Sequence, residues 1–187
     1  DNGIQLFVAC NPDGFIYNIN TSVFQQITTA TFPGAVTVGF LDGYFVFNEP
    51  NSQRIWVTQL LDGTSIEPLD FASAEGSPDG VVGLIVDHRE VYLLGEKTSE
   101  VWVDVGTVPF PFQRIPGTST QHGIAAKFSM SRLGNSFAYV SRNNRGQAQI
   151  MQMAGYMPQR ISTHAVENTL VNQDVSDAIA WTYQLEG

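Results

Sequence analysis

Phe112-Gln113-Arg114-Ile115 and Pro158-Gln159-Arg160-Ile161 are near copies of one short segment, and they lie 46 residues apart. A looser copy is Phe24-Gln25-Gln26-Ile27. The segments before the two close copies repeat as well, because Trp56 precedes Trp102 by 46 residues. A recurring unit of about 40–50 residues made of strands and turns is typical of a β-propeller blade. The sequence therefore predicts an all-β, propeller-like fold of four-stranded antiparallel blades.

Turn dipeptides and alternating apolar residues divide the chain into units of one propeller domain, 1–187, or of a fragment of a larger propeller. The predicted units are approximately 1–34, 35–80, 81–123, 124–170 and a partial unit 171–187. The first unit supplies three strands and the last supplies one, Ala178–Leu185. Either the chain is cut from a longer propeller, or its last strand pairs with the first unit and closes a four-bladed ring. Closure would remove sheet edges that invite aggregation.

Local signals give specific expectations for turns and strand positions. A turn is expected at Asn11–Gly14, with its glycine in positive φ. A tight turn at Asp62-Gly63 predicts a following strand near Ile66–Phe71, and the fourth unit is expected to begin with the strand Ala126–Arg132. A short helix capped by Thr163 is expected through Leu170, with little helix elsewhere.

The composition bounds the class of protein. Hydrophobic residues make up 43% of the chain and charged residues only 14%, so solubility must depend on uncharged polar side chains. The most apolar window, Val81–Val86, ends at Asp87 and is too short to span a bilayer. Cys10 is the only cysteine, which excludes an internal disulfide and a cysteine metal site. It is expected to be a small core residue.

The charge is unevenly distributed along the chain. The net charge is −9, yet the segment Val105–Val166 contains six basic residues and no Asp or Glu. Such asymmetry favours oriented contact with a partner, although a chance polar segment is the plain alternative. The candidate docking residues are Arg142, Arg145, Lys127 and Arg132. Arg145 lies in the Asn-Asn-Arg-Gly turn, 143–146, and Arg142 directly precedes it, so these two are the pair most expected to be exposed.

Signals for metal, cofactor or nucleophilic chemistry are weak. His88, His122 and His164 lie in different units without metal-ligand spacing, and they are better interpreted as turn histidines. Phosphate-loop, nucleophile-elbow and zinc-protease motifs do not occur. The sequence therefore predicts no enzyme, no catalytic residue, no cofactor and no metal.

Two sets of residues are candidates for a ligand site. Asp87, Glu90 and Asp104 could serve a glycan hydrolase, but they are expected at unrelated strand positions. Trp56 and Trp102 are expected to be blade-core residues rather than ligand platforms, so both should be mostly buried.

Several longer segments carry a more specific signal than the repeat of strands and turns. They are Gly43–Pro50 (GYFVFNEP), Ala74–Asp79 (AEGSPD), Arg89–Gly95 (REVYLLG), Glu100–Trp102 (EVW), Pro109–Gly117 (PFPFQRIPG), His122–Lys127 (HGIAAK) and Gly155–Glu167 (GYMPQRISTHAVE). Together they resemble the packaged-DNA stabilisation proteins of short-tailed bacteriophages, which form the tail hub. The resemblance runs in order over roughly Pro33–Gly187.

The resemblance implies a structural phage or prophage protein of the virion tail, present in the host bacterial cytoplasm during assembly. It implies closure of the channel of the portal and adaptor and retention of packaged DNA. The implied partners are the tail adaptor and the tail needle or plug, with a ring-forming homo-oligomer in the full-length protein. Sequence-specific nucleic-acid binding and membrane insertion are not expected.

Two alternatives remain open at this point. One is a generic bacterial β-propeller that acts as an interaction scaffold. The other is a propeller that binds or hydrolyses glycans, which would need a carboxylate pair converging on one pocket.

Overall fold

The structure is a computed structural model that describes residues 1–74, 76, 79–143 and 145–183. Within these residues it is an all-β fold of four antiparallel sheets with one short helix. Sheet one has the order β1 (Gln5–Cys10), β2 (Asp13–Asn18) and β3 (Val23–Gln26). Sheet two has β4 (Val38–Leu41), β5 (Tyr44–Asn48), β6 (Arg54–Val57) and β7 (Phe71–Ser73) in order. Each sheet is one propeller blade.

The third and fourth blades repeat the arrangement of the second. The third has β8 (Val81–Asp87), β9 (Glu90–Gly95), β10 (Ser99–Asp104) and β11 (Phe112–Arg114) in order. The fourth has β12 (Ser131–Leu133), β13 (Ser136–Arg142), β14 (Ala148–Ala154) and β15 (Met157–Arg160). Helix α1 (His164–Leu170) follows, and the Thr163 side chain accepts a hydrogen bond from Val166 N at its start, as predicted.

Each core lies between two consecutive blades, which is how a strand can be buried on both faces. Phe7 of the first blade packs in one cluster with Phe47 and Trp56 of the second. The second and third blades share a cluster that includes Trp102, and the third and fourth share one that includes Phe137. Trp56 and Trp102 are 6% and 7% exposed, and each faces the preceding blade, so the prediction that both are core residues is confirmed.

Backbone hydrogen bonds identify which strands the first blade contains. Val81 N, which opens the third blade, donates to Ser52 O between the second and third strands of its predecessor (2.9 Å). Ala35 N makes the same bond to Pro12 O, which lies between β1 and β2 (2.9 Å). β1, β2 and β3 therefore occupy the second, third and fourth places of a blade. No described strand occupies its innermost place.

The segment after α1 lies beside the residues that lead into β12, the innermost strand of the fourth blade. Ile179 forms an isolated parallel bridge with Phe128, and Ala180 N donates to Phe128 O (3.0 Å). Neighbouring innermost strands of a propeller run in the same direction, so this bridge fits the start of a further blade. The strand predicted at Ala178–Leu185 is not formed over residues 178–183. The rest of the predicted strand lies outside the described residues.

Two strand predictions are wrong in position. The strand expected at Ile66–Phe71 is β7, which starts only at Phe71, because Asp62 closes its own loop by accepting from Thr64 N and Oγ1 (2.9 and 2.7 Å). The strand expected at Ala126–Arg132 is β12, which starts at Ser131. Ser129 delays it by donating from both N and Oγ to Ala126 O (3.1 and 2.8 Å).

Two predictions near the first turn are also wrong. Asn11, with a φ of 25°, takes the left-handed conformation expected of Gly14, which lies inside β2. Glycine is needed there for space, because a Cβ would lie 2.5 Å from Cζ of Phe32. Cys10 is exposed rather than part of the core, since it is the last residue of β1 before the turn.

Candidate docking surfaces on the two rims

The strand directions define two rims. The upper rim carries the turns β4–β5, β8–β9 and β12–β13 and the connections β2–β3, β6–β7, β10–β11 and β14–β15. The lower rim carries the turns β1–β2, β5–β6, β9–β10 and β13–β14 and the connections between blades. Propeller ligands and partners meet such rims, so each candidate residue is assigned to one.

Arg142 and Arg145 lie at the β13–β14 turn of the lower rim, and both side chains are exposed. Arg142 Nη2 lies 4.0 Å from Asp174 Oδ1, and its Nη1 donates to Gly146 O at 3.5 Å, so it is held loosely. The Asn143 side chain organises the turn by accepting from Arg145 N (2.9 Å). This turn thus presents two guanidinium groups to solvent.

Lys127 is half-buried on the connection between the third and fourth blades, which belongs to the lower rim. Its Nζ lies 5.1 Å from the ring centroid of Phe128, a cation–π arrangement. It borders a shallow cleft that Asn51 and Glu96 also line. Lys127 and the acidic residue Glu96 therefore line the same cleft.

Arg132 lies towards the upper rim, in β12 one residue before the strand ends at the turn to β13. Its Nη1 donates to Asp87 Oδ1 (2.7 Å) and its Nη2 to Val86 O (2.6 Å). The structure therefore brings Arg142, Arg145 and Lys127 to the lower rim and separates Arg132 from them.

The remaining basic residues of the acid-free segment have carboxylate partners from outside it. Arg114 Nη1 lies 3.5 Å from Glu100 Oε2, and Arg160 Nη1 lies 3.7 Å from Glu167 Oε1. Sequence reasoning missed this pairing, although the strand order could have revealed it, since β10 and β11 are neighbours. The positive charge of the acid-free segment Val105–Val166 is consequently partly neutralised in the folded protein by acids from outside the segment.

The upper rim is predominantly acidic. The upper-rim segments 41–44, 58–70, 86–90, 104–111, 132–136 and 154–157 hold seven acidic residues and two basic ones. The acids are Asp42, Asp62, Glu67, Asp70, Asp87, Glu90 and Asp104, and the basic residues are Arg89 and Arg132. A cationic partner surface is therefore favoured at the upper rim.

The two upper-rim arginines tie consecutive blades together. Arg89 Nη2 donates to Asp42 Oδ1 of the second blade (2.6 Å), and Arg132 reaches back in the same way to Asp87 of the third. The two aspartates are 45 residues apart and occupy equivalent hairpins. The pairs are thus a repeated contact between blades that sequence reasoning did not identify.

Asp87 and Glu90 are close together, contrary to the prediction of unrelated positions, because they are cross-strand partners at the β8–β9 hairpin. Asp87 bonds His88 Nδ1 (2.9 Å), and Glu90 accepts from Tyr156 Oη (2.6 Å) and Tyr92 Oη (3.1 Å). Burial and the charge of Glu90 raise the pKa of Tyr92. The Glu90 hydrogen bond raises the pKa of Tyr156. Both phenols therefore stay protonated and hold Glu90 in place.

The histidines lie in separate places. His88 sits in the β8–β9 turn, His164 opens α1 with Nδ1 3.7 Å from Glu167 Oε2, and His122 is on the third inter-blade connection. Across the described ranges, no group of three or more metal-binding side chains converges. No helix formed by those residues is long and apolar enough to cross a membrane.

A family model described as "Bacteriophage P22 Gp10, beta-propeller" matches residues 3–186 of this chain. Curated proteins give no significant match. Among solved structures, the β-propeller domain of Cps50 (Swd1) from Myceliophteria thermophila is similar with a TM-score of 0.57 and 10% identity, over 85% of this chain and 55% of that one. The N-terminal domain of Nup159 is similar with a TM-score of 0.52 and 11% identity, over 87% and 46%. The chain thus spans about half the length of these structures, and such identities show the fold alone.

Proposed function

Because this chain belongs to the family of the bacteriophage P22 Gp10 β-propeller, we propose that it is a structural tail protein of a phage or prophage. It closes the channel of the portal and adaptor and helps to retain packaged DNA in the virion. The observation that carries the proposal is the family match over residues 3–186. A structural protein of the virion acts by contact with other virion proteins, so its rims are its working surfaces.

The proposed location is the virion tail, with assembly in the host cytoplasm. The proposed partners are the tail adaptor and the tail needle or plug, and the full-length protein is proposed to form a ring of identical subunits. The proposal also includes the division of one domain into units, which are 1–34, 35–80, 81–123, 124–170 and 171–187.

The net charge of −9 is compatible with a wall of a DNA channel. Lysine and arginine contacts to phosphate strengthen nonspecific DNA binding, and they make it salt-dependent. An acidic protein avoids such binding, so DNA can pass without being held. Retention then depends on closing the channel rather than on gripping the duplex.

The Arg142–Arg145 turn is the proposed docking point on the lower rim for an acidic face of a neighbouring tail protein. Support comes from its two exposed guanidinium groups, and among the described residues the one acidic neighbour of Arg142 is Asp174, at 4.0 Å. Lys127 extends the same rim surface. Arg132 contributes less, because its guanidinium is already bonded to Asp87 and Val86.

Charge reversal tests the docking point. The double variant Arg142→Glu/Arg145→Glu should weaken association with purified adaptor or needle protein, by up to about tenfold, because each exposed ion pair contributes about 1 kcal/mol or less. The loss should be largest at about 0.01 M salt and nearly vanish at about 1 M, since the Debye length falls from roughly 30 to 3 Å. Association can be followed by biolayer interferometry across salt concentrations.

The matched control is Arg142→Lys/Arg145→Lys, which keeps both charges and should bind like the parent. Unfolding curves should coincide for all three proteins, because neither arginine is buried. Equal binding of the Glu variant at every salt concentration would exclude this turn as the docking point.

DNA retention tests the wider function. Packaged phage heads that lack their hub protein should lose DNA to nuclease, and supplying the complete protein should restore nuclease-protected DNA. Heads supplied with an unrelated β-propeller are the control. Full protection of DNA without the hub protein would contradict the proposal.

A further inference from the structure

An apolar groove opens on the upper rim between the two connections β6–β7 and β10–β11. Its volume is about 520 Å³, within the range of pockets that hold small ligands and peptide side chains. Val57, which is buried, and Tyr44, which is half-buried, line it together with Leu69 and Val108. The groove therefore joins the interior of two blades to solvent.

The residues at its edges are unusually apolar for a surface. Leu69 is 64% exposed and Val108 is 92% exposed, on opposite connections. Leu60 and Leu61 add exposed apolar side chains to the β6–β7 connection. Contiguous exposed apolar surface with a polar border is typical of an interaction site.

Both walls are held by their own hydrogen bonds. In the β6–β7 connection, Asp70 accepts from Gln59 Nε2 (2.6 Å) and from Glu67 N (3.0 Å). In the β10–β11 connection, Thr107 Oγ1 donates to Phe110 O (2.8 Å). A groove with walls already formed loses little conformational entropy when it binds.

The border of the groove carries one exposed acid, Glu67, while the other acid of the lining, Asp70, is buried and already hydrogen-bonded in the wall. The connections 58–70 and 105–111 contain no lysine or arginine. Glu67 is exposed, and no ion pair of its carboxylate is recorded within the described part of the chain. A segment that carries positive charge is thus favoured over an acidic one.

We propose that this groove binds an apolar peptide segment flanked by lysine or arginine, supplied by a neighbouring protein of the assembled particle. The proposal rests on the proposed function for the source of the segment. The apolar side chains of the segment fill the groove between Leu69 and Val108, and its cations lie against Glu67. The upper rim then takes a cationic partner while the lower-rim arginines take an acidic one, so the protein joins two different neighbours.

Peptide binding tests this inference directly. The probe is a fluorescein-labelled peptide of about ten residues with a central Leu-Phe-Leu flanked by two lysines on each side, and binding is measured by fluorescence anisotropy. Leu69→Ser/Val108→Ser should weaken binding at least about fivefold, because truncating well-packed contacts commonly costs 1 kcal/mol or more. Glu67→Gln should weaken it about two- to threefold at low salt and not at high salt.

Two controls separate the groove from nonspecific adhesion. Val171→Ser, at an exposed apolar residue after α1, should bind like the parent. The same peptide with glutamate in place of every lysine should bind at least about tenfold more weakly. Equal affinity of the Leu69→Ser/Val108→Ser variant, or equal binding of the glutamate peptide, would overturn the proposal.

Sedimentation velocity tests whether a second copy of this chain occupies the groove instead. If Leu69→Ser/Val108→Ser abolishes self-association and leaves peptide binding intact, the groove is an interface between copies and the proposal is wrong. The lower-rim charge-reversal test is independent, since Arg142 and Arg145 lie on the opposite rim. Failure of peptide binding alone would therefore leave the proposed tail function standing.

Discussion

At the scale of single residues, both core tryptophans bond a nearby carboxylate. Trp56 Nε1 donates to Glu49 Oε2 (2.9 Å), and Trp102 Nε1 donates to Glu100 Oε1 (2.7 Å). A buried indole N–H needs a partner, and an acid supplies one without breaking the strand ladder. These glutamates are therefore structural residues.

Glu100→Ala is predicted to lower the free energy of unfolding by about 1–3 kcal/mol, because the indole N–H of Trp102 would lose its acceptor in a buried site. Glu49→Ala should cost less, since the Glu49 side chain is 22% exposed while that of Glu100 is 7% exposed. Urea denaturation monitored by tryptophan fluorescence measures both. Glu100→Gln keeps an acceptor and is the matched control, and a Glu100→Ala protein as stable as this control would contradict the argument.

At the scale of elements, the β8–β9 hairpin carries backbone strain. His88 and Arg89 both have positive φ, 48° and 62°, in a two-residue turn that favours Asn-Gly. The equivalent β4–β5 turn has Asp42 and Gly43, with φ of 49° and 94°. Arg89 is thus retained at a glycine position, where its guanidinium reaches Asp42.

Arg89→Gly should leave the protein as stable as the parent or more stable by up to about 1 kcal/mol. The left-handed conformation costs a non-glycine residue roughly 1–2 kcal/mol, while an exposed ion pair contributes about 1 kcal/mol or less. Arg89→Ala keeps the strain and loses the pair, so it should be less stable than Arg89→Gly by about 1 kcal/mol. Differential scanning calorimetry can rank the three proteins. An Arg89→Gly protein that is less stable than the parent would show that the Arg89–Asp42 contact outweighs the strain, and one that is no more stable than Arg89→Ala would show that the left-handed conformation costs little at this position.

The elements that sequence predicts best are those with local signals. The burial of Trp56 and Trp102 follows from the spacing of the repeat, and the Thr163 cap follows from capping chemistry. The predicted starts of β7 and β12 are wrong, because hydrogen bonds of the Asp62 and Ser129 side chains delay each strand. Such competition between a side chain and the ladder has no marker in strand propensity.

At the scale of the whole molecule, the charge pattern along the chain was a partial guide to the candidate surfaces. The acid-free segment spans lower-rim and upper-rim positions, so folding divides it and pairs Arg114, Arg132 and Arg160 with acids from elsewhere. Arg142 and Arg145 are exposed, as the sequence suggested, whereas Arg132 is exposed but already bonded to Asp87. The sequence does not predict the upper-rim groove. Leu69 and Val108 are ordinary apolar residues in the sequence, and only the fold brings their two connections together.

The first blade presents an open sheet edge, since β1 pairs with β2 and with no other strand among the described residues. Its outer face is apolar as well, with Leu6 and Phe24 exposed at 42% and 58%. An unpaired strand edge next to apolar surface is a template for pairing with another chain. The isolated 187-residue chain is therefore expected to self-associate as its concentration rises.

Leu6→Lys should weaken this self-association about tenfold, or about 1.4 kcal/mol, because a lysine on an edge strand opposes pairing with a further strand. The free energy of unfolding should change by about 0.5 kcal/mol or less, since Leu6 is already largely exposed. Analytical ultracentrifugation over a concentration series measures the association. Val171→Lys, at a comparably exposed apolar residue outside any strand and away from the upper-rim groove, is the matched control and should associate like the parent. If both variants weaken association equally, general surface charge is responsible, and the open edge of β1 does not mediate contact between chains.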